Sequence, residues 1–361
     1  MASLPDVPSE ISVGWIRQQF ETAGIDGSTL RSVVSARIGT GLIGDSYRLE
    51  LEWHDGPPVG APASLIAKLP AADPTSRRAG VELGNYEREV RFYREVAATI
   101  PVRLARCWAA EWLATEGTFI IILEDLAPGT VGDQLRGCRV IEADAVIAMA
   151  ASFHAAHWEA PSLEHFGTWM SRPGEADRGA QLAMLWSMAW PQFVARHERR
   201  LTSDDRELAE TFARHIERWA TDRGGPRTVV HGDFRTDNML FGGRADDPWV
   251  VPVDWQTPAI GLAAGDIAYF VGASLLPDDR RAHEERLVRR WFDGLAQHGV
   301  AGYSWASCWE DYRRMSFGGV IMGVVASFLT PPTPRGDDMF FAMASRHLGQ
   351  ARDLDALTLI I

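Results

Sequence analysis

Five polar residues crowd one short stretch between two apolar runs. They are His231, Asp233, Arg235, Asp237 and Asn238, in VVHGDFRTDNMLF from Val229 to Phe241. Asn238 follows Asp233 by five positions, and His231 precedes it by two. A carboxylate at the Asp233 position can accept or orient the proton of an acceptor hydroxyl, and an asparagine oxygen five residues on can bind Mg2+. Further along, Val251-Pro252-Val253-Asp254-Trp255 reads as a short apolar strand ending in an acid, 21 residues after Asp233. Two protein oxygens, completed by phosphates and waters, suit Mg2+. The chemistry within reach of such a set is phosphoryl transfer. Arg235 and Asp237 receive no role from spacing alone.

A phosphoryl donor needs its own cradle. Gly39-Thr40-Gly41-Leu42-Ile43-Gly44 fits GxGxxG, with Gly39, Thr40, Gly41 and Gly44 as candidate phosphate contacts. The pattern fits an ordinary hairpin turn equally well. A dinucleotide fold requires a helix straight after it. Here the next segment alternates as a strand, which favours a loop folded over nucleotide phosphates. Lys68 is the one charge in the apolar run Ser64 to Leu69. A lone strand lysine is ordinarily solvated, but one downstream of a glycine hairpin can reach phosphates if a carboxylate holds it. Glu89 is the candidate carboxylate, with Glu82 and Glu87 as alternatives. The apolar strand Phe119 to Leu123 ends in Glu124-Asp125-Leu126; any buried strand ends in polar residues, and the backbone of Glu124 and Leu126 is also a candidate contact for an adenine edge.

The elements that must position these residues follow from periodicity. Residues 8–24 read as a helix capped by Ser9, with Ile11, Trp15 and Phe20 on one face. Alternation on both sides of the glycine cluster reads as a strand–turn–strand hairpin. Residues 85–97 read as an amphipathic helix with Tyr86, Val90, Tyr93 and Val96 on its apolar side. Beyond residues 125–129 long helices take over, broken by short strands at the opening stretch and at VVPVDWQ. Val229-Val230 and Met239-Leu240-Phe241 read as short strands that keep the polar loop rigid. The stretch DDRRAHEERLVRR reads as a solvated helix face. His154 and His157 are three apart on a helix; they read as packing or pocket lining rather than as metal ligands. Trp158, Trp186, Trp190 and Trp255 read as core of the helical part, or as walls of an aromatic acceptor pocket.

Composition excludes several classes. A net charge of -12 argues against non-specific nucleic-acid binding. Cys107, Cys138 and Cys308 form neither a disulfide framework nor a zinc spacing, which points to a reducing, cytoplasmic setting. The opening MASLPDVPSEIS has no signal-peptide character. Phe317 to Leu329, the longest apolar run, is too short to span a bilayer and reads as a buried helix. There is no H-E-x-x-H and no G-x-S-x-G. Composition and motifs leave the oligomeric state open.

Taken together, VVHGDFRTDNMLF and VPVDWQTPAIGLAAGDIAYF resemble the aminoglycoside phosphotransferase and choline kinase superfamily. Within it the chain is most similar to the ecdysteroid-kinase-like group, with YEREVRFYREV and AASFHAAHW adding to the likeness over residues 30–330. The resemblance implies an α+β, protein-kinase-like bilobal fold. Residues 1–126 would form a small β-rich nucleotide-binding lobe, and residues 127–361 a larger, mostly helical lobe for catalysis and acceptor binding. It implies ATP and Mg2+ as cofactors and a small hydroxylated molecule as acceptor. By position, Asp233 would be the catalytic base, Asn238 and Asp254 the metal ligands, and Lys68 and Glu89 the phosphate-anchoring pair. Asp266, in GDIAYF, would hold the catalytic loop from below. Gly232 stands where protein kinases carry arginine, Asp254-Trp255-Gln256 replaces D-F-G, and A-P-E is absent, which turns the reading away from protein substrates. The alternative is a catalytically inactive nucleotide- or ligand-binding pseudokinase.

Overall fold

The alternating residues around the glycine cluster form β1 (Leu30–Ile38) and β2 (Gly44–Trp53), paired antiparallel with a bulge between Leu30 and Ser32. The structure is a computed structural model and describes residues 4–39, 41, 43–172, 176–221 and 224–361. By contacts the chain divides into two compact units, residues 1–99, 103–128 and 253–257, and residues 100–102, 129–252 and 258–361.

In the first unit β3 (Ser64–Pro70), β4 (Cys107–Leu113) and β5 (Thr118–Glu124) complete an antiparallel sheet of order β1-β2-β3-β5-β4. Side chains alternate across a strand. One face of the sheet therefore carries Leu65, Ala67, Leu69, Ile120 and Ile122, packed with Ile16 and Phe20 of α1 (Val13–Thr22). The same alternation sends Lys68, paired with Ile121, to the opposite face. After α2 (Pro74–Glu82) comes α3 (Asn85–Arg91), prolonged by a π-turn over Phe92–Val96. Its buried side is Tyr86, Glu89, Val90, Tyr93 and Val96, the apolar stripe read from the sequence with a carboxylate set into it. The Tyr86 ring stacks on Phe119 at 4.3 Å, which seats α3 on the Lys68 face of the sheet.

Two readings change here. The cap of α1 is Ser12, whose hydroxyl accepts from the Trp15 amide at 3.1 Å; Ser9 lies in a separate 3-10 turn. Trp255 groups with this first unit, fully buried and stacked on Phe92 at 3.9 Å with an interplanar angle of 7°.

The second unit holds α4 (Val140–Ala155), α5 (Ser162–Phe166), α6 (Ala176–His197), α7 (Ser203–Ala213) and α8 (Ile216–Thr221). Five more helices follow: α9 (Ala263–Ser274), α10 (Pro277–Gln297), α11 (Trp305–Met315), α12 (Phe317–Leu329) and α13 (Pro334–Asp353). Between them, β6 (Thr130–Val131), β8 (Met239–Arg244) and β9 (Asp247–Pro252) make one small sheet, and β7 (Arg227–Val230) pairs with β10 (Ala259–Leu262) in another. The apolar edges of the opening stretch are thus β7 and the start of β8, each in its own sheet. Every residue of α9 except Gly265 is buried, so this helix is the spine of the unit. The apolar run Phe317–Leu329 is α12, and among the described residues no helix is long and apolar enough to cross a membrane. The charge-dense α10 is not a uniformly solvated face. Arg280 and Glu284 are buried, with Arg280 Nη1 donating to Glu284 Oε2 at 2.7 Å.

Candidate active site

In the first unit one lysine is shared by two carboxylates. Lys68 Nζ donates to Glu89 Oε1 at 2.5 Å and to Asp254 Oδ1 at 2.6 Å. Glu82 is exposed and Glu87 pairs with Arg91, so Glu89 is the residue of the three that meets the lysine. Lys68 and Glu89 are buried, whereas the Asp254 carboxylate is about a third exposed. Burial opposes the Lys68 charge, but Asp254 and Glu89 outweigh it and keep the lysine protonated. One cation cannot compensate two carboxylates at low dielectric. Burial pushes the Glu89 carboxyl up to about 7, with Lys68 pulling it down and Asp254 pushing it further up. Asp254 adopts a left-handed backbone, φ 65°, and Gln256 Nε2 donates to the same Oδ1. The anchor for this turn is Trp255 on Phe92, with Asn85 Nδ2 donating to the Gln256 carbonyl at 3.3 Å.

The glycine loop joins β1 to β2. Gly41 tolerates no side chain, because a Cβ there would lie 2.3 Å from the Gly44 carbonyl oxygen. Thr40 lies outside the described residues. Tyr86 ties the loop to α3: its hydroxyl donates to the Ile43 carbonyl at 2.7 Å. At the end of β5 the Glu124 amide donates to the Arg106 carbonyl at 2.8 Å, and Leu126 is buried. Asp125 between them is held by Arg48 Nε at 2.6 Å and Ser64 Oγ at 2.8 Å.

In the second unit the opening stretch is a tight loop from β7 into β8. Gly232 has φ 82°, a left-handed conformation that a side chain strains against, and this explains glycine at that position. The turn aims two successive amides at one carboxylate. His231 N donates to Asp266 Oδ2 at 2.7 Å and Gly232 N to Asp266 Oδ1 at 3.1 Å. Asp266 also meets His154 Nε2 at 3.2 Å. The Trp291 indole, which can only donate, reaches His154 Nδ1 at 3.1 Å, so the proton of this imidazole sits on Nε2 and points at Asp266. His154 is therefore structural, and His157 bonds through Nδ1 to Ser162 Oγ at 3.0 Å.

Above that base the Asp233 carboxylate is gripped from three sides. Asn238 Nδ2 donates to Oδ2 at 2.7 Å, Tyr269 Oη to Oδ1 at 2.9 Å, and Arg235 Nε to Oδ1 at 3.0 Å. With its amide nitrogen committed to Asp233, the Asn238 side-chain oxygen is the atom available to a hard cation. Arg235 and Asp237 now have partners. Arg235 Nη1 donates to Asp237 Oδ2 at 2.6 Å, and Asp237 Oδ1 accepts the Gln134 amide at 2.7 Å. Burial opposes the Arg235 charge, yet Asp233 and Asp237 more than restore it. Among the described residues no group of three or more His, Cys, Asp or Glu is arranged to hold a metal. An amide oxygen such as that of Asn238 is a hard donor of the kind Mg2+ accepts.

The ecdysteroid kinase-like family matches residues 43–300, well over half of the 361. The chain belongs to that family. It is accordingly a small-molecule kinase, a phosphotransferase whose family acts on hydroxyl groups. No curated protein sequence matches it. Among solved structures, choline kinase from Cryptosporidium parvum Iowa II aligns with a TM-score of 0.58 at 10% identity, over 96% of each chain. Aminoglycoside 2'-phosphotransferase-IIIa in its GDP complex aligns at 0.55 and 14% identity, over 95% of this chain and 97% of the other. A candidate aminoglycoside phosphotransferase from Ralstonia eutropha JMP134 gives the same TM-score, identity and coverage. The shared fold is kinase-like, with a β-sheet N-terminal region and a helical C-terminal region. The aminoglycoside 2'-phosphotransferase-IIIa structure carries GDP.

Within this kinase-like family member, the structure brings Lys68, Glu89 and Asp254 together in one unit, and Asp233 and Asn238 together in the other. Sequence reasoning missed Tyr269 and Gln256. Tyr269 lies three residues after Asp266, a spacing that puts both on one helix face, and that signal was present.

Proposed function

We propose that the protein transfers the γ-phosphate of ATP, with Mg2+, to a hydroxyl of a small molecule. The observation that carries this reading is the Asp233 carboxylate, fixed by Asn238, Arg235 and Tyr269 on a loop clamped to Asp266. Asp233 takes the hydroxyl proton while the acceptor oxygen bonds to the γ-phosphorus. The bond from that phosphorus to the bridging oxygen breaks, and ADP leaves with the electron pair. Lys68, backed by Glu89, anchors the phosphates, and Gly39, Gly41 and Gly44 present backbone to them. Asn238 and Asp254 are the Mg2+ ligands, and the bound ion would neutralise charge on the phosphates. The backbone of Glu124 and Leu126 meets the adenine edge. The proposed nucleotide-binding lobe is residues 1–126, with residues 253–257 grouping with it, and the proposed catalytic lobe lies within residues 127–361. Free cysteines fit a reducing cytoplasm.

The test is ATP turnover with Mg2+ against a panel containing an ecdysteroid, choline and an aminoglycoside, alongside release of phosphate to water. Asp233→Asn should lower turnover at least a hundredfold, the scale of a lost general base, while the ATP-induced rise in melting temperature persists. Full activity in Asp233→Asn would reject the assignment.

A further inference from the structure

Tyr269 sits on α9, the spine of its unit, one helical turn beyond Asp266. The two residues share a helix face and serve one loop. Asp266 takes the loop's backbone amides, and Tyr269 donates to the side chain the loop presents. We propose that Tyr269 is a positioning residue for phosphoryl transfer. Its phenol fixes the rotamer of the Asp233 carboxylate, and its ring is fixed in turn by His347 of α13. The inference rests on Asp233 acting as the base.

Three observations support it. First, the contact is directional. Burial, and then the Asp233 charge, drive the phenol well above its usual range, so it stays protonated and donates to Oδ1 at 2.9 Å. Oδ2 is held separately by Asn238, so the carboxylate plane is defined at both oxygens. Second, the ring is held in place. It stacks on His347 at 5.6 Å and 17°, and both side chains are buried. Third, His347 is itself fixed. Gln350 Nε2 donates to Glu284 Oε1 at 3.1 Å and to Tyr312 Oη at 2.8 Å, which turns Gln350 Oε1 to accept from His347 Nδ1 at 2.9 Å. Glu284 is anchored by Arg280 and by the Tyr312 hydroxyl at 2.7 Å each. A buried polar line thus runs from α10 through α13 to the carboxylate of the loop. A tyrosine serving only to fill space would need neither the donor nor the line behind its ring.

Tyr269→Phe keeps the ring and its stacking and removes the hydroxyl. Phosphate release from MgATP, with water as acceptor, should show kcat lowered at least tenfold and the KM for ATP changed less than twofold. In an Asp233→Asn background the same substitution should lower the residual rate less than twofold, because a phenol acting through the carboxylate has nothing left to orient. A structural role would lower both backgrounds alike, and that result overturns the proposal. So does an unchanged kcat in Tyr269→Phe when Asp233→Asn is inactive. If Asp233→Asn is fully active, the function reading itself fails. If Tyr269→Phe does not fold, 3-fluorotyrosine can be placed at the six tyrosines. One fluorine resonance should then move when Asp233→Asn removes the carboxylate, and no movement overturns the proposal.

Discussion

Lys68 shows how one residue's charge state follows from its company. A single ammonium faces Glu89 and Asp254 at 2.5 and 2.6 Å, and the more buried carboxylate carries the deficit, its carboxyl pushed up to about 7 by burial. Protonating Glu89 leaves Lys68 to Asp254 alone, away from its proposed place against the phosphates. Nucleotide affinity should therefore weaken roughly tenfold as pH falls from about 8 to about 6, the worth of one charge-assisted hydrogen bond. Glu89→Gln should bind more weakly at all pH and show a flat profile; a slope as steep as that of the unaltered protein would place the titration elsewhere. The pair was legible because the chemistry fixes residue type at each end, a lysine in an apolar strand and a carboxylate on the next helix. Arg235 and Asp237 were not. Their partners include Asp233, two residues away, but also the amide of Gln134, about a hundred residues upstream. Spacing carries no record of such a contact.

At the scale of elements, the proposed catalytic loop is a backbone conformation held by one helix. Gly232 at φ 82° turns its own amide and that of His231 onto Asp266, and α9 also receives the Thr236 amide on Ser274 Oγ at 3.1 Å. Gly232→Ala should cost about 1–2 kcal/mol, the strain of a left-handed residue with a Cβ. Urea unfolding reads that loss directly, and kcat should fall with it as Asp233 loses its seat; no change in either would mean that the loop does not need this conformation. Elements with a strong period were readable in the same way as the loop. The stripe of α3, the run that became α12 and the alternation of β2 each write their burial into the sequence, whereas on β1 the alternating Val34 and Ala36 are exposed. β4 was missed because its alternation breaks at a bulge between Cys107 and Ala109 and its side chains are mostly half-buried. Ser12 displaced Ser9 as cap because a 3-10 turn intervenes. The burial of Arg280 and Glu284 on α10 was hidden because each satisfies the other's charge, together with Tyr312 and Gln350, and pairing of that kind leaves no periodic trace.

For the whole molecule, the same polar line sets how the fold responds to acid. Burial holds His347 neutral, its pKa lowered to about 4 from the ordinary 6.5, between the ring of Tyr269 and the backbone of α9 and α12. A Cβ on Gly272 would lie 2.4 Å from its Cε1 and one on Gly319 1.9 Å from its Cδ2, so there is no room for the ring to swing toward water. Between pH 6.5 and 4 the unfolded chain binds a proton at this position that the folded chain refuses. Stability is therefore fully present above about 6.5 and is lost as pH falls toward 4, by roughly 3 kcal/mol for this one group. Burial lowers His157 and His197 as well, so they act in the same direction. Urea midpoints measured at about pH 7.5 and pH 4.5 should then differ far more in the unaltered protein than in His347→Gln. The variant gives up the Tyr269 stack and so begins less stable at neutral pH, but it carries no imidazole for the unfolded chain to protonate. Equal acid sensitivity in the two proteins would mean that His347 is charged in the fold. It would also mean that the ring against Tyr269 is a cation, which would change what holds the phenol of Tyr269 to Asp233.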